Sequence, residues 1–137
     1  MDISIENVIL PNKPLSNFEI IDAAKRLSIP KFRGVFLRDT LPRRPLKKEC
    51  GILNLDDSGG NGTHWVDWYK KGEGQYYFDS FGIQPPKELV NYLKSDIYYN
   101  TEQIQQRDQV FCGHLCLYVL KQMSRGEDLQ SIINELF

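Results

Sequence analysis

The run from Cys112 to Met123 constrains this fold most, because it is helix-compatible throughout and strongly apolar. A helix that is hydrophobic nearly all round has to be buried. The rest of a chain of 137 residues must therefore be arranged around it. Its first residue is a cysteine, followed directly by Gly113.

Other segments supply material to cover that helix. Ser16-Asn17-Phe18-Glu19 fits a capping box, and Phe18, Ile20, Ile21, Ala24 and Leu27 follow at helical spacing, which predicts a helix over 16–28. Val35 to Leu37 is a short apolar run. Arg38 to Lys48, with prolines and the basic residues Arg38, Arg43, Arg44, Lys47 and Lys48, reads as a solvated loop. The patterns of Cys50 to Leu55, His64 to Tyr69 and Gln75 to Phe78 predict strands, with turn-rich Asp56 to Gly62 and Lys70 to Gly74 between them. They form a small antiparallel sheet. Pro85 and Pro86 introduce a helix that runs to Ser95 with Leu89, Val90 and Leu93 inward. Ile97 to Tyr99 reads as a further strand, and Asp128 to Leu136 as a closing amphipathic helix.

A hydrophobic content of 41% with 26% charge is ordinary for a globular protein, so residues 1–137 are expected to form one domain and a monomer. Seventeen basic and eighteen acidic side chains leave a net charge of −1. That balance lends no support to DNA binding or to an anionic membrane as partner. No apolar run approaches the roughly 18–20 residues needed to span a bilayer, and Met1 to Ser4 lacks the features of a secretory signal. The expected location is intracellular. Three cysteines in such a chain argue against a disulfide framework and leave metal binding, burial or catalysis.

His64 and Asp79 belong to one hairpin whose turn falls near Lys71-Gly72. If those two residues form the loop, His64 lies directly opposite Asp79, with Cβ atoms about 4.5–5.5 Å apart on the same face. A carboxylate so placed holds an imidazole N–H. Cys112 at a helix N-terminus has its thiolate stabilised, and a neighbouring imidazolium adds to this. Gly113 lets a substrate backbone approach, and the Cys112 N–H can serve an oxyanion. A second donor should come from Gln103, Gln105, Gln106 or Gln109.

Gly62-Thr63-His64-Trp65, Tyr77-Phe78-Asp79-Ser80-Phe81-Gly82, and Gln105 lying seven positions before Cys112-Gly113-His114-Leu115-Cys116 form an ordered set. This set resembles the adenovirus-type cysteine proteases (adenain-like), and more closely the related enzymes of Polinton/Maverick transposons and their viral relatives. Phe32 to Asp39 and Glu49 to Asp56 add to the likeness, which covers roughly residues 15–122. The resemblance implies an α+β fold, with the small, mainly antiparallel sheet packed against a central helix that starts at the nucleophile, and a papain-like active centre. It implies Cys112 as nucleophile, His64 as base, Asp79 as the carboxylate that orients it, and Gln105, or Gln106 by the spacing of deconjugating proteases, in the oxyanion hole. Trp65 narrows the substrate groove. The implied substrate is a virion precursor polypeptide cleaved beside small residues such as glycine, in host nucleus, cytoplasm or virion. The shorter length and the lack of an overall basic charge leave activation by DNA or a peptide outside the expectation, and no cofactor is required.

Competing readings remain. A deconjugating protease for ubiquitin-like proteins shares the chemistry, and a binding module would keep the Cys, His and Asp as structure. Cys112, His114 and Cys116 with Cys50 or His64 are a weak zinc set, because positions two apart on a helix diverge. Cys50 and Cys116 read as buried thiols, His114 as a packed histidine, and Asp67 as an exposed strand residue on the face away from His64. Trp68, Tyr69, Tyr76 and Tyr77 read as core or cross-strand aromatics rather than groove residues.

Overall fold

The structure is a computed structural model that describes residues 2–56, 64–72, 74–106 and 110–137. In chain order the elements are β1 (Ile3–Ile5), β2 (Val8–Leu10), α1 (Asn17–Arg26), β3 (Phe32–Leu37), β4 (Lys48–Asn54), β5 (Trp65–Lys71), β6 (Gln75–Phe78), α2 (Lys87–Leu93), β7 (Tyr98–Tyr99), α3 (Cys112–Ser124) and α4 (Leu129–Leu136). Of the sequence expectations, Thr63 and Gln109 and most of the turn-rich stretch Asp56 to Gly62 lie outside the described residues.

Strands β3 to β7 form one sheet in chain order. Its centre, β4-β5-β6, is antiparallel, while β3 and β7 join the edges in parallel. Both faces are covered, which is why β4 is buried from Glu49 to Asn54 without alternation. On one face Cys50, Ile52 and Phe78 meet α3 and α1, through Leu117, Leu120, Ile20 and Ala24. On the other, Leu53, Val66, Trp68 and Tyr77 meet Leu89, Tyr92 and Leu93 of α2. The apolar helix α3 is therefore central, as its composition demands, and the fold is the α+β arrangement expected. Trp68 and Tyr77 are core.

Local chemistry accounts for the helix boundaries. Ser16 Oγ accepts from the Glu19 N–H and the Glu19 carboxylate accepts from the Ser16 N–H, completing the capping box at α1. Ile20, Ala23, Ala24 and Leu27 face inward, whereas Phe18 and Ile21 sit on the other edge of the helix and are exposed. In α2 the buried stripe is Leu89, Tyr92 and Leu93, and Val90, about 100° round from Leu89, is exposed. The hairpin of β1 and β2 has no counterpart in the sequence reading, since three-residue strands carry too little alternation to register. The Val35 to Leu37 run is the end of β3.

The β5-β6 hairpin turns one residue later than expected. Lys70 pairs with Gln75 and Asp67 with Phe78, and the Lys71 N–H donates to Gly74 C=O at 2.8 Å. Gly72 supplies the left-handed turn conformation at φ +87°. Moving the turn by one residue shifts the pairing by two, which leaves every side chain on its face.

Candidate active site

Three elements deliver the three residues singled out by sequence. His64 immediately precedes β5, Asp79 immediately follows β6, and Cys112 opens α3, which packs against β5. His64 Nε2 lies 2.6 Å from Asp79 Oδ1, with both side chains buried. Asp79 stands beyond the last paired residue of β6, so it meets His64 diagonally rather than as a direct cross-strand pair. The Cys112 thiol is the other group close enough to the imidazole to act on its charge.

This geometry redistributes protons. Burial by itself would lower the His64 pKa, but hydrogen bonds and charge from Asp79 and Cys112 outweigh it and raise the group to about 9. Burial pushes the Cys112 thiol upward, yet the His64 contact and the N–H groups of Trp65 and Gly113 bring it below its ordinary range. Both shifts run toward an imidazolium beside a thiolate.

The carboxylate is fixed by groups with little sequence signal. Asp79 Oδ1 also accepts from the Phe81 N–H at 2.8 Å, and the Phe81 ring stacks on His64. Asn100 brackets the Asp79 backbone: its Oδ1 accepts from the Asp79 N–H and its Nδ2 donates to the Asp79 carbonyl at 2.7 Å. Asn100 stands 21 positions along the chain, which is why sequence spacing does not reveal it. Gly82 closes the turn by donating to the Asp79 carbonyl at 2.8 Å.

Among the candidate glutamines, Gln105 is buried while Gln103 and Gln106 are exposed. Ser80 Oγ donates to Gln105 Oε1 at 3.2 Å, and the Ser80 carbonyl accepts from the Ile104 and Gln105 N–H groups at 2.8 and 3.1 Å. Trp65 is nearly buried, and its Nε1 donates to the Leu15 carbonyl at 3.0 Å. It walls a cleft of about 650 Å³ shared with Leu15, Ser16, Asn17, Phe36 and Thr40. Gly113 is buried, and a Cβ there would meet Leu15 and Trp65 at 3.3 Å, so its small size also serves packing.

The remaining polar groups take structural places. His114 Nε2 donates to the Pro11 carbonyl at 2.8 Å, and Cys50 and Cys116 are buried thiols. Among the described residues no three His, Cys, Asp or Glu side chains are placed to hold a metal ion. Asp67 corrects an expectation: it is not exposed but wholly buried, close to Cys116 of α3, with burial holding its carboxyl far above the usual range. The double-sided cover of β5 is the reason, since neither face of this strand meets solvent at that point.

The fold and this constellation define a class, that of Cys-His-Asp sites built on an α+β scaffold. No protein-family profile matches the sequence, and no curated protein matches it. Solved structures do match. The crystal structure of the ASFV pS273R protease superposes with a TM-score of 0.67 at 18% identity, over 89% of this chain and 61% of that one. Its selenomethionine form gives 0.64 at 20%, over 89% and 62%. The SUMO protease Ulp1, with its catalytic cysteine oxidized to a sulfinic acid, gives 0.56 at 18%, over 92% and 75%. The chain thus spans about 61% of the length of the viral protease it matches, and what it shares with these cysteine proteases is the fold.

Proposed function

We propose that this chain is a cysteine endopeptidase of the adenovirus-protease type, acting as a single-domain monomer on virion precursor polypeptides beside glycine-like residues. The observation that carries the reading is His64, buried between the Asp79 carboxylate and the Cys112 thiol, with its pKa raised to about 9 as the thiol's falls. The likeness in fold to viral and SUMO proteases supports it.

In this mechanism the Cys112 thiolate attacks the scissile carbonyl, forming a C–S bond as the carbonyl electrons move to oxygen. His64 holds the imidazolium proton and passes it to the departing amine as the C–N bond breaks. Water, deprotonated by the then neutral His64, releases the acyl group. Asp79 keeps the ring oriented and favours its charged form. The Cys112 N–H and the Gln105 amide take up the oxyanion, an arrangement worth roughly 3–4 kcal/mol per donor in related chemistry. Trp65, next to His64 in sequence and on the wall of a cleft, is the residue that this reading assigns to narrowing the substrate groove for small side chains.

A second reading, a deconjugase for ubiquitin-like proteins, is favoured by the match to the SUMO protease over 92% of this chain. Both are tested by one comparison. Purified protein is offered Gly-containing peptides and fusions of a ubiquitin-like protein ending in Gly-Gly, alongside Cys112→Ala. Cleavage of short peptides by the wild type alone supports the endopeptidase; cleavage confined to the folded fusions supports the deconjugase. No cleavage, together with slow, uniform labelling of all three cysteines at pH 6, would leave a binding module.

A further inference from the structure

The oxyanion role of Gln105, on which this inference rests, needs more than a glutamine nearby. A side-chain amide has a donor end and an acceptor end, and a half-turn about its last bond exchanges them. Presented the wrong way, Gln105 would set an oxygen against the developing negative charge. Something must choose its orientation.

Ser80 is placed to do so. It is fully buried, and its hydroxyl donates to Gln105 Oε1 at 3.2 Å, with no other partner among the described residues. Were the amide reversed, the hydroxyl would have to accept from its NH2, and the hydroxyl hydrogen would lose its acceptor in a site closed to water. The main chain adds a second restraint, because the Ser80 carbonyl takes the N–H groups of both Ile104 and Gln105 and so docks the glutamine's backbone beside the same residue. Side chain and backbone of Gln105 are thus held at two points by one serine.

Ser80 is also the neighbour of Asp79 in sequence. The turn Asp79 to Gly82 therefore fixes two parts of the site at once: Asp79 holds the imidazole, and Ser80 holds the glutamine. We infer that Ser80 is a positioning residue for transition-state stabilisation, setting which end of the Gln105 amide faces the reacting carbonyl and tying that setting to the turn that carries Asp79.

A double-mutant cycle tests this on the intact protein with a cleavable peptide. Ser80→Ala should lower kcat on the order of tenfold with KM nearly unchanged, and Gln105→Ala by on the order of 10²-fold. The double variant should be no slower than Gln105→Ala alone, and Ser80→Thr, which restores the hydroxyl, should recover most of the loss. Alkylation of Cys112 against pH should be the same in Ser80→Ala as in wild type, since the Cys112, His64 and Asp79 contacts are untouched. An unchanged kcat in Ser80→Ala, or losses that multiply in the double variant, would overturn the inference. Should Ser80→Ala melt too low to assay, Ser80→Cys carries the same cycle. If the wild type cleaves no peptide, it is the peptidase reading that fails; the inference is then read from the Gln105 side-chain amide in ¹H–¹⁵N spectra. Its two proton signals should shift and exchange faster in Ser80→Ala, and unchanged signals reject it.

Discussion

Phe81 lies flat on His64, ring centroids 4.0 Å apart and planes within 3°, while its own N–H holds Asp79 Oδ1 at 2.8 Å. One residue thus restrains both partners of the buried pair, the imidazole through its side chain and the carboxylate through its backbone. Phe81→Ala removes only the first restraint and lets the ring tilt away from Cys112. Activity should fall by about tenfold or more, because small misplacements at a reacting group are amplified in rate. Phe81→Tyr keeps the stacked face and should retain most of it. Steady-state kcat/KM of the two variants checks this, with equal losses counting against the stack.

The proton distribution predicts the pH profile. The raised His64 pKa means that the imidazolium persists to about 9, so kcat/KM should hold a plateau across neutral pH and decline as His64 deprotonates near that value. The sign for stability follows from the same shift: the folded state binds the His64 proton more tightly than the unfolded chain, whose His titrates near 6.5. That contribution is complete below about 6.5 and is lost as pH rises through about 9. Asp79→Asn removes a main cause of the shift, so the alkaline limb should move to lower pH. A limb that stays near 9 in that variant would mean the decline belongs to another group.

Asp67 should behave in the opposite sense to a paired carboxylate. Its folded pKa lies far above that of the unfolded chain, so between the two values the native state holds a proton that the unfolded state has released. Stability therefore declines as pH rises from about 4. Asp67→Asn, which cannot ionise, should stabilise the protein by more than ~1 kcal/mol at pH 7 and by little near pH 3. Urea unfolding at the two pH values decides it; a variant equally unstable at both would show that the carboxyl is needed for its Cys116 contact rather than tolerated.

What was legible in the sequence follows physical lines. His64, Asp79 and Cys112 could be read because a hairpin brings the first two together and a helix start marks the third, and both are local signals. The hairpin register expected from sequence differs from the observed one by two positions, and a shift of two preserves the face. Asp67 departs from expectation because a polar residue in a strand reads as solvent-facing unless both faces of the sheet are known to be covered. Ser80 and Asn100 act through hydrogen bonds to residues 25 and 21 positions away, and no periodicity announces such contacts. In α2 Tyr92, and not the expected Val90, completes the buried stripe, because a short helix leaves the centre of its apolar face open by one residue.

Two glycines with positive φ offer a last discrimination between backbone strain and close packing. Gly72 in the β5-β6 turn has φ +87° and open space where a Cβ would stand, whereas Gly82 has φ +73° and a Cβ there would lie 2.6 Å from the Thr101 carbonyl oxygen and 2.8 Å from that of Glu102. Gly72→Ala should cost about 1 kcal/mol, the strain of the left-handed conformation alone, and leave activity intact. Gly82→Ala carries the same strain and must also displace backbone that cannot yield like a side chain, so about 2–4 kcal/mol is expected. Because the Gly82 N–H closes on the Asp79 carbonyl, the displaced turn takes Asp79 and Ser80 with it. Activity of the folded fraction should then fall at least tenfold, by the same sensitivity to misplacement that governs Phe81. Thermal melts and kcat on both variants separate the effects, and an active Gly82→Ala would mean that the turn can move without carrying the carboxylate.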